Sequence, residues 1–276
     1  MAGCATRTSF AGHPGIAAQT DNALTSNWIT SWGQATPLAI TPAGLEAALR
    51  ALPALGFSGC NLTIPHKEAA LRLLDEVSPT AARIGAVNCV VVRPDGSLFG
   101  ENYDGWGYVA SLREAQPSWR ADAGPILVIG AGGAARAVIA GLADAGATEI
   151  RVVNRTLARA EALAAELGGP VRALDWNQRH TTLSDAAMVV NATSQGMAGY
   201  PALDLTLDDL PASALVSDIV YIPAETPLLA QARKRGNPTV NGLGMLLHQA
   251  RPAFRDWFGV LPDVTPDLRA MIEATL

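Results

Sequence analysis

Ile126-Leu-Val-Ile-Gly130-Ala131-Gly132-Gly133-Ala134-Ala-Arg136 is the stretch on which the reading of this chain turns. Four apolar residues run into a glycine cluster and then into the helical pattern Ala137-Val-Ile-Ala-Gly-Leu142, so the order is strand, tight turn, helix. A dinucleotide fingerprint requires that context. Gly130 makes the turn, Gly132 lets backbone N–H groups approach a pyrophosphate at the positive end of the helix, and Ala131, Gly133 and Ala134 complete the contact. Ala135 occupies the third glycine position, where a small side chain still permits close helix–strand packing. A βα turn without a ligand looks the same, so the next strand has to decide.

That strand, Glu149-Ile-Arg-Val-Val-Asn154, ends in Asn154-Arg155-Thr156, with Arg159 a helical turn further on. An NAD site places a carboxylate here to hold the ribose 2′-hydroxyl, whereas a 2′-phosphate is met by cations and hydroxyls. The carboxylate is missing and the arginines are present. Arg155 offers a planar fork suited to phosphate, and Thr156 a hydroxyl at the start of the following helix. The pattern specifies NADP as cofactor, against the plainer reading of Arg155 and Arg159 as a solvated helix face.

The remaining composition excludes several classes. A chain of 276 residues, 49% hydrophobic and 16% charged, supports a large core in one or two domains. A net charge of −5 gives no reason to expect nucleic acid or an anionic membrane as partner. No apolar run reaches the length of a membrane span, and the start lacks the apolar core of a signal peptide. Cys4, Cys60 and Cys89 form no C-x-x-C pair, and His13, His66, His180 and His248 show no ligand spacing, so no metal is expected and a reducing cytoplasm fits. Lys67 and Lys234 are the only lysines. Lys234 closes a helix, where a cation suits the dipole.

Along the chain, Ser9–Pro14 suggests a strand entering a turn and Asn22–Trp32 a loose helix. Thr36–Thr41 reads as a strand, followed by a helix capped by Thr41 with Pro42 in its first turn. Gly59–Pro65 reads as a strand ended by Pro65, and His66 opens another helix. This alternation predicts a parallel or mostly parallel sheet. Ala86–Val92 and Leu98–Asn102 form a hairpin around Pro94-Asp-Gly96, and a helix from Gly105 leads into the nucleotide half. Strands at Ala187–Asn191 and Leu215–Tyr221 continue the alternation, and Asn241-Gly242-Leu-Gly244-Met245 starts a final helical part. The expected domains are 1–104 completed by 242–276, and 105–241.

Taken together, Asn61-Leu-Thr63-Ile-Pro-His-Lys67-Glu, Gly85-Ala-Val-Asn88, Asn102-Tyr103-Asp104-Gly, Gly130-Ala-Gly-Gly-Ala, Asn154-Arg-Thr, Asn191-Ala-Thr193-Ser, Asp218-Ile-Val-Tyr221 and Gly242-Leu-Gly-Met245-Leu-Leu-His-Gln249 resemble the shikimate dehydrogenase family over roughly residues 54–276. The resemblance implies an α/β protein with a Rossmann NADP-binding domain and a smaller α/β substrate domain, a cleft lying between them. It implies Lys67 and Asp104 as the catalytic pair and Asn61, Asn88 and Gln249 as partners of substrate hydroxyls. Thr63 and Tyr221 fall nearer the substrate carboxylate, and Asn191, Thr193, Gly242 and Met245 around the cofactor. The chemistry agrees: hydride transfer to a ring ketone leaves an alkoxide-like oxygen that needs a proton donor. A lysine can give up a proton and be recharged, which an arginine cannot.

Two departures from the family pattern bear on substrate. The N-terminal loop, Gly12-His-Pro14-Gly-Ile-Ala17-Ala18-Gln19-Thr20-Asp21-Asn22, lacks the Ser-x-Ser that binds the carboxylate in the family; Gln19 and Asp21, or Ala18 and Thr20, stand there instead. An aspartate beside a carboxylate is repulsive. Tyr103 replaces the family threonine, and its ring could fill part of the cleft or offer a phenol to another group. These departures favour an alicyclic ketone altered from the family substrate, aminated or lacking the carboxylate. The alternatives are ordinary reduction of 3-dehydroshikimate, imine reduction, and a non-catalytic NADP-binding sensor. A monomer or a homodimer is compatible with the sequence.

Overall fold

A computed structural model describes residues 2–6, 34–63 and 65–275. The expected strand at 9–14, the helix at 22–32, and Gln19, Thr20 and Asp21 lie outside the described residues. The chain divides into two compact units, one running to Tyr103 and resuming at Ala250–Thr275, the other Asp104–Gln249.

In the first unit the elements are β1 (Ala2–Thr6), β2 (Gln34–Leu38), α1 (Leu45–Ala51), β3 (Phe57–Asn61), α2 (His66–Ala69), β4 (Glu76–Val77), α3 (Pro79–Ile84), β5 (Cys89–Val92) and β6 (Leu98–Glu101). Thr41 does cap a helical start, its hydroxyl accepting from Gly44 N–H at 3.3 Å, but the first turn is 3₁₀ before α1 begins. The strands form one sheet in the order β2-β1-β3-β5-β6-β4. The parallel sheet expected from the alternation is wrong for this unit: β1–β2, β1–β3, β3–β5 and β5–β6 are antiparallel, and only β4–β6 is parallel. The β5–β6 hairpin enforces antiparallel pairing between its two strands. Leu45, Leu49, Leu52, Cys60, Leu62, Val87, Val90 and Leu98 form the core.

The second unit continues with α4 (Asp104–Ala115), β7 (Ile126–Ile129), α5 (Gly133–Asp144), β8 (Ile150–Val153), α6 (Leu157–Leu167), β9 (Val171–Leu174), β10 (Met188–Asn191), β11 (Leu215–Asp218), α7 (Pro227–Lys234), β12 (Thr239–Val240) and α8 (Leu243–Phe258). The helix α8 runs on into the first unit, which α9 (Pro266–Glu273) completes. All six strands are parallel, in the order β12-β11-β10-β7-β8-β9. Renumbered within the sheet this is 3-2-1-4-5-6 reversed, the doubly wound Rossmann order, with β7 at the switch point where such sheets bind nucleotides. Every residue of β7, β8, β10 and β11 is buried, as a parallel sheet covered on both faces demands.

Two helices in this unit touch backbone to backbone. A methyl group at Gly105 would lie 2.4 Å from the Ala137 carbonyl oxygen, and one at Gly141 would lie 2.6 Å from that of Gly105. Glycine at both positions lets α4 lie directly on α5, whose first turn is the glycine loop. Among the described residues no helix is long and apolar enough to cross a membrane.

Candidate active site

In the first unit the strand register assembles the polar residues. Asn61 at the end of β3 lies opposite Cys89, and Cys89 opposite Glu101, so Asn88 and Asn102, each one residue beyond this level, lie at the same end of the sheet as Asn61. Asn88 is buried, its carbonyl accepting from Leu62 N–H at 2.8 Å and its N–H donating to Glu101 O at 3.0 Å. Its side-chain oxygen accepts the Tyr103 N–H at 2.9 Å. Asn102 donates from Nδ2 to Ala86 O at 2.9 Å.

Lys67 is tied to this end of the sheet through its backbone, since its carbonyl accepts the Val87 N–H at 2.8 Å, next to Asn88. Its side chain is half-buried on the short α2, where the half-buried Thr63 closes the preceding turn by accepting from His66 N–H. The buried His66 ring sits within hydrogen-bond distance of Ile40 O, 2.9 Å from Nε2. Asn61 Oδ1 is buried without a hydrogen-bond partner. An acceptor left in that state costs about 1–3 kcal/mol, which a ligand hydroxyl would recover.

Tyr103 corrects one expectation. Its phenol donates a hydrogen bond to Asp256 Oδ2 on α8, inside the same unit; burial first, then that bond, pushes its pKa up. It is therefore not a loose ring offering its hydroxyl to another group. Asp256 gave no signal in the sequence because it lies 153 positions away. The nearby Cys89 thiol is buried, which raises its pKa as well.

In the second unit Asp104 opens α4 and is 4% exposed. Gly107, one turn along the same face, is packed so closely that a methyl group there would lie 2.6 Å from the Gln249 backbone nitrogen. This brings the start of α4 and Gln249 together; the Gln249 side chain donates to Leu246 O at 3.2 Å.

The nucleotide elements fit a dinucleotide. Gly130 has φ +116, and a methyl group there would meet the Ala192 carbonyl oxygen at 2.8 Å. Gly132 caps α5 with no side-chain hydrogen bond to the first-turn N–H groups, and nothing lies within 4 Å of where its Cβ would be. Open space at an uncapped helix start suits a pyrophosphate. Ala135 is fully buried, so the small third position serves packing. At the end of β8, Asn154 donates to Thr156 O at 2.9 Å, and the Thr156 hydroxyl makes no cap to α6. Arg155 and Arg159 are exposed. Neither guanidinium has a hydrogen bond or ion pair among the described residues, whereas the neighbouring Arg136 is paired with Glu166.

Asn191 and Thr193 act chiefly on their own loop. Asn191 donates to Gln195 O at 2.8 Å and Asp218 Oδ1 at 3.0 Å, and accepts from Thr193 N–H at 3.1 Å and Oγ at 2.7 Å. Asp218 also accepts from Val220 N–H and from Thr226 Oγ1; burial pushes its pKa up against those bonds. Gly242 is obligatory, because a Cβ would lie 1.9 Å from Ile219 O. Met245 packs into the main core, and Tyr221 is half-buried.

Comparison with known proteins decides the family. The model described as the shikimate dehydrogenase substrate binding domain matches residues 27–90, and that described as shikimate / quinate 5-dehydrogenase matches residues 114–198. A protein of Paramagnetospirillum magneticum named shikimate dehydrogenase (NADP(+)) is 55% identical over 240 residues, 87% of each chain. The chain belongs to the shikimate dehydrogenase family. A relative with the same name from Cereibacter sphaeroides (strain KD131) is 47% identical over 275 residues, covering 98% of this chain and 99% of its own. A solved member, shikimate 5-dehydrogenase from Thermus thermophilus in complex with NADP(H) and shikimate, superposes with a TM-score of 0.76 at 40% identity, covering 86% of both chains. These findings favour ordinary family chemistry over the altered substrate suggested by the 12–22 loop and Tyr103. The loop reading rested on a few positions whose alignment is ambiguous, and the Tyr103 reading on a phenol that Asp256 already holds.

Proposed function

We propose that this protein catalyses the reversible NADPH-linked reduction of 3-dehydroshikimate to shikimate. It is an NADP-dependent oxidoreductase acting on a CH–OH group, and the proposal concerns its substrate and the residues that act. The observation that carries it is the gathering of Asn61, Asn88 and Asn102 at one end of the first sheet, to which the Lys67 backbone is tied through Val87, with an orphaned acceptor at Asn61.

NADPH supplies the hydride when bound. Lys67 gives a proton to the carbonyl oxygen as hydride arrives at its carbon, so that C=O becomes CH–OH with one hydride and one proton gained. Asp104 orients that ammonium and accepts from a neighbouring hydroxyl. Asn61, Asn88 and Gln249 bind ring hydroxyls, and Thr63 and Tyr221 serve the carboxylate. Gly130, Gly132 and the start of α5 hold the pyrophosphate; Arg155, Thr156 and Arg159 hold the 2′-phosphate. The Asn191–Asp218–Thr226 bonds keep the loops after β10 and β11 in place.

Replacing Lys67 by Ala should abolish turnover while NADP binding, read by fluorescence titration, stays unchanged. Full turnover in that variant overturns the assignment. Among shikimate, quinate, an amino analogue and a carboxylate-free analogue, shikimate should show the highest kcat/KM. Preference for a carboxylate-free ring would refute the substrate, and no turnover of any member would favour the sensor reading.

A further inference from the structure

The Tyr103–Asp256 hydrogen bond has no part in the roles assigned above, yet it fastens the residue that immediately precedes Asp104. Residue 103 is held twice within the first unit: its N–H by Asn88 Oδ1 at 2.9 Å, and its phenol by Asp256. The acceptor is itself fixed. Its neighbour Trp257 donates from Nε1 to Val90 O on the central strand β5 at 2.9 Å, and the indole occupies the space that a side chain at Gly59 would fill, a Cβ there lying 2.2 Å from Nε1. Phe254 and Phe258 pack beside it, their ring centroids 4.6 Å apart and their planes tilted by 54°. Arg255 binds the other oxygen, Oδ1, at 2.9 Å from Nε and 2.8 Å from Nη2, leaving Oδ2 to the phenol.

We infer that Tyr103 is a positioning residue for this reaction: its hydrogen bond to Asp256 sets the backbone from which the Asp104 carboxylate is presented. The inference rests on the reading of Asp104 as a catalytic partner. A peptide restrained by its N–H alone retains rotation about the following bonds, whereas one restrained at both N–H and side chain does not. For a proton-transfer network, loss of alignment lowers the rate more than it lowers binding. A threonine at this position, as in the family pattern, is too short to span the same distance.

The test compares Tyr103→Phe, Asp256→Ala, Asp256→Asn and the Tyr103→Phe/Asp256→Ala double variant in the full-length enzyme, with Asp104→Asn as control. Tyr103→Phe and Asp256→Ala should each lower kcat for shikimate oxidation about tenfold, with KM for shikimate and NADP little changed and Tm close to the parent. The double variant should be no worse than Asp256→Ala alone, because the bond that Tyr103→Phe removes is already absent there. Asp256→Asn, whose amide oxygen still accepts from the phenol, should recover most of the rate. Unchanged kcat in Tyr103→Phe, additive losses, or a loss of rate that follows Tm would overturn the inference. Full turnover in Asp104→Asn would strike the catalytic reading of Asp104 and the inference with it. An inactive Asp104→Asn beside a fully active Tyr103→Phe strikes the inference alone.

Discussion

Arg155→Ala should convert an NADP enzyme into one that distinguishes the two nicotinamide cofactors poorly. The guanidinium is exposed and unpaired among the described residues, so its removal breaks no internal ion pair and Tm should hold. What is lost is a charge-assisted hydrogen bond to a phosphate dianion, worth about 1.5–3 kcal/mol. Solvent exposure brings the figure to the lower end. The start of α6 and the Thr156 hydroxyl remain, and the helix end keeps roughly 0.3–1 kcal/mol of attraction for the anion. A net loss of about 1.5–2 kcal/mol is a rise of about 10–30-fold in KM for NADP, with KM for NAD unaltered because NAD has no 2′-phosphate. Initial rates of shikimate oxidation, followed by nicotinamide absorbance over a range of each cofactor, measure both values. Equal losses for NADP and NAD, or no loss for either, would refute the placement of the 2′-phosphate.

Asn61→Ala removes the orphaned buried acceptor, so KM for shikimate should rise about tenfold if it meets a substrate hydroxyl, with KM for NADP unchanged and Tm not lowered; an unaltered KM would dismiss the contact. Gly105→Ala forces a methyl group against the Ala137 carbonyl and should destabilise by about 1–3 kcal/mol, seen as a Tm lower by several degrees; an unchanged Tm would mean that the helices part freely. Arg151, 7% exposed in its side chain, is gripped by Asp185 at 2.5 and 2.6 Å and by Glu149 at 2.7 Å. The hydrogen bond from Arg151 holds the Asp185 pKa below the usual aspartate value. Its contribution is therefore complete above the unfolded-chain pKa of about 3.9 and fades as pH falls through the lower folded value. Asp185→Asn should accordingly lose on the order of 1 kcal/mol at neutral pH, discounted for the exposure of Asp185, and the gap in urea midpoint should narrow on the acid side; a gap that widens there would reverse the sign.

What could be read from the residues was what is local. The β7 turn, the β5–β6 hairpin around Pro94-Asp-Gly96 and the Thr41 cap each carry their signal within a few positions. The mixed pairing of the first sheet was missed because strand direction depends on which strand lies beside which. β4, two residues long, has no period to detect. Individual site residues could be named from motifs, but what surrounds them could not. The tie from Tyr103 to Asp256 joins residues far apart in the chain, and the saturation of Asn191 by its own loop depends on where Asp218 falls in the neighbouring strand.

The glycine pair at the crossing of α4 and α5 has a mechanical meaning. Two backbones that meet with no side chain between them have no soft layer to absorb a displacement, and they keep a single register. The carboxylate at the head of α4 therefore rides on the same stiff strut as the glycine turn at the start of α5. Whatever shifts the one carries the other with it.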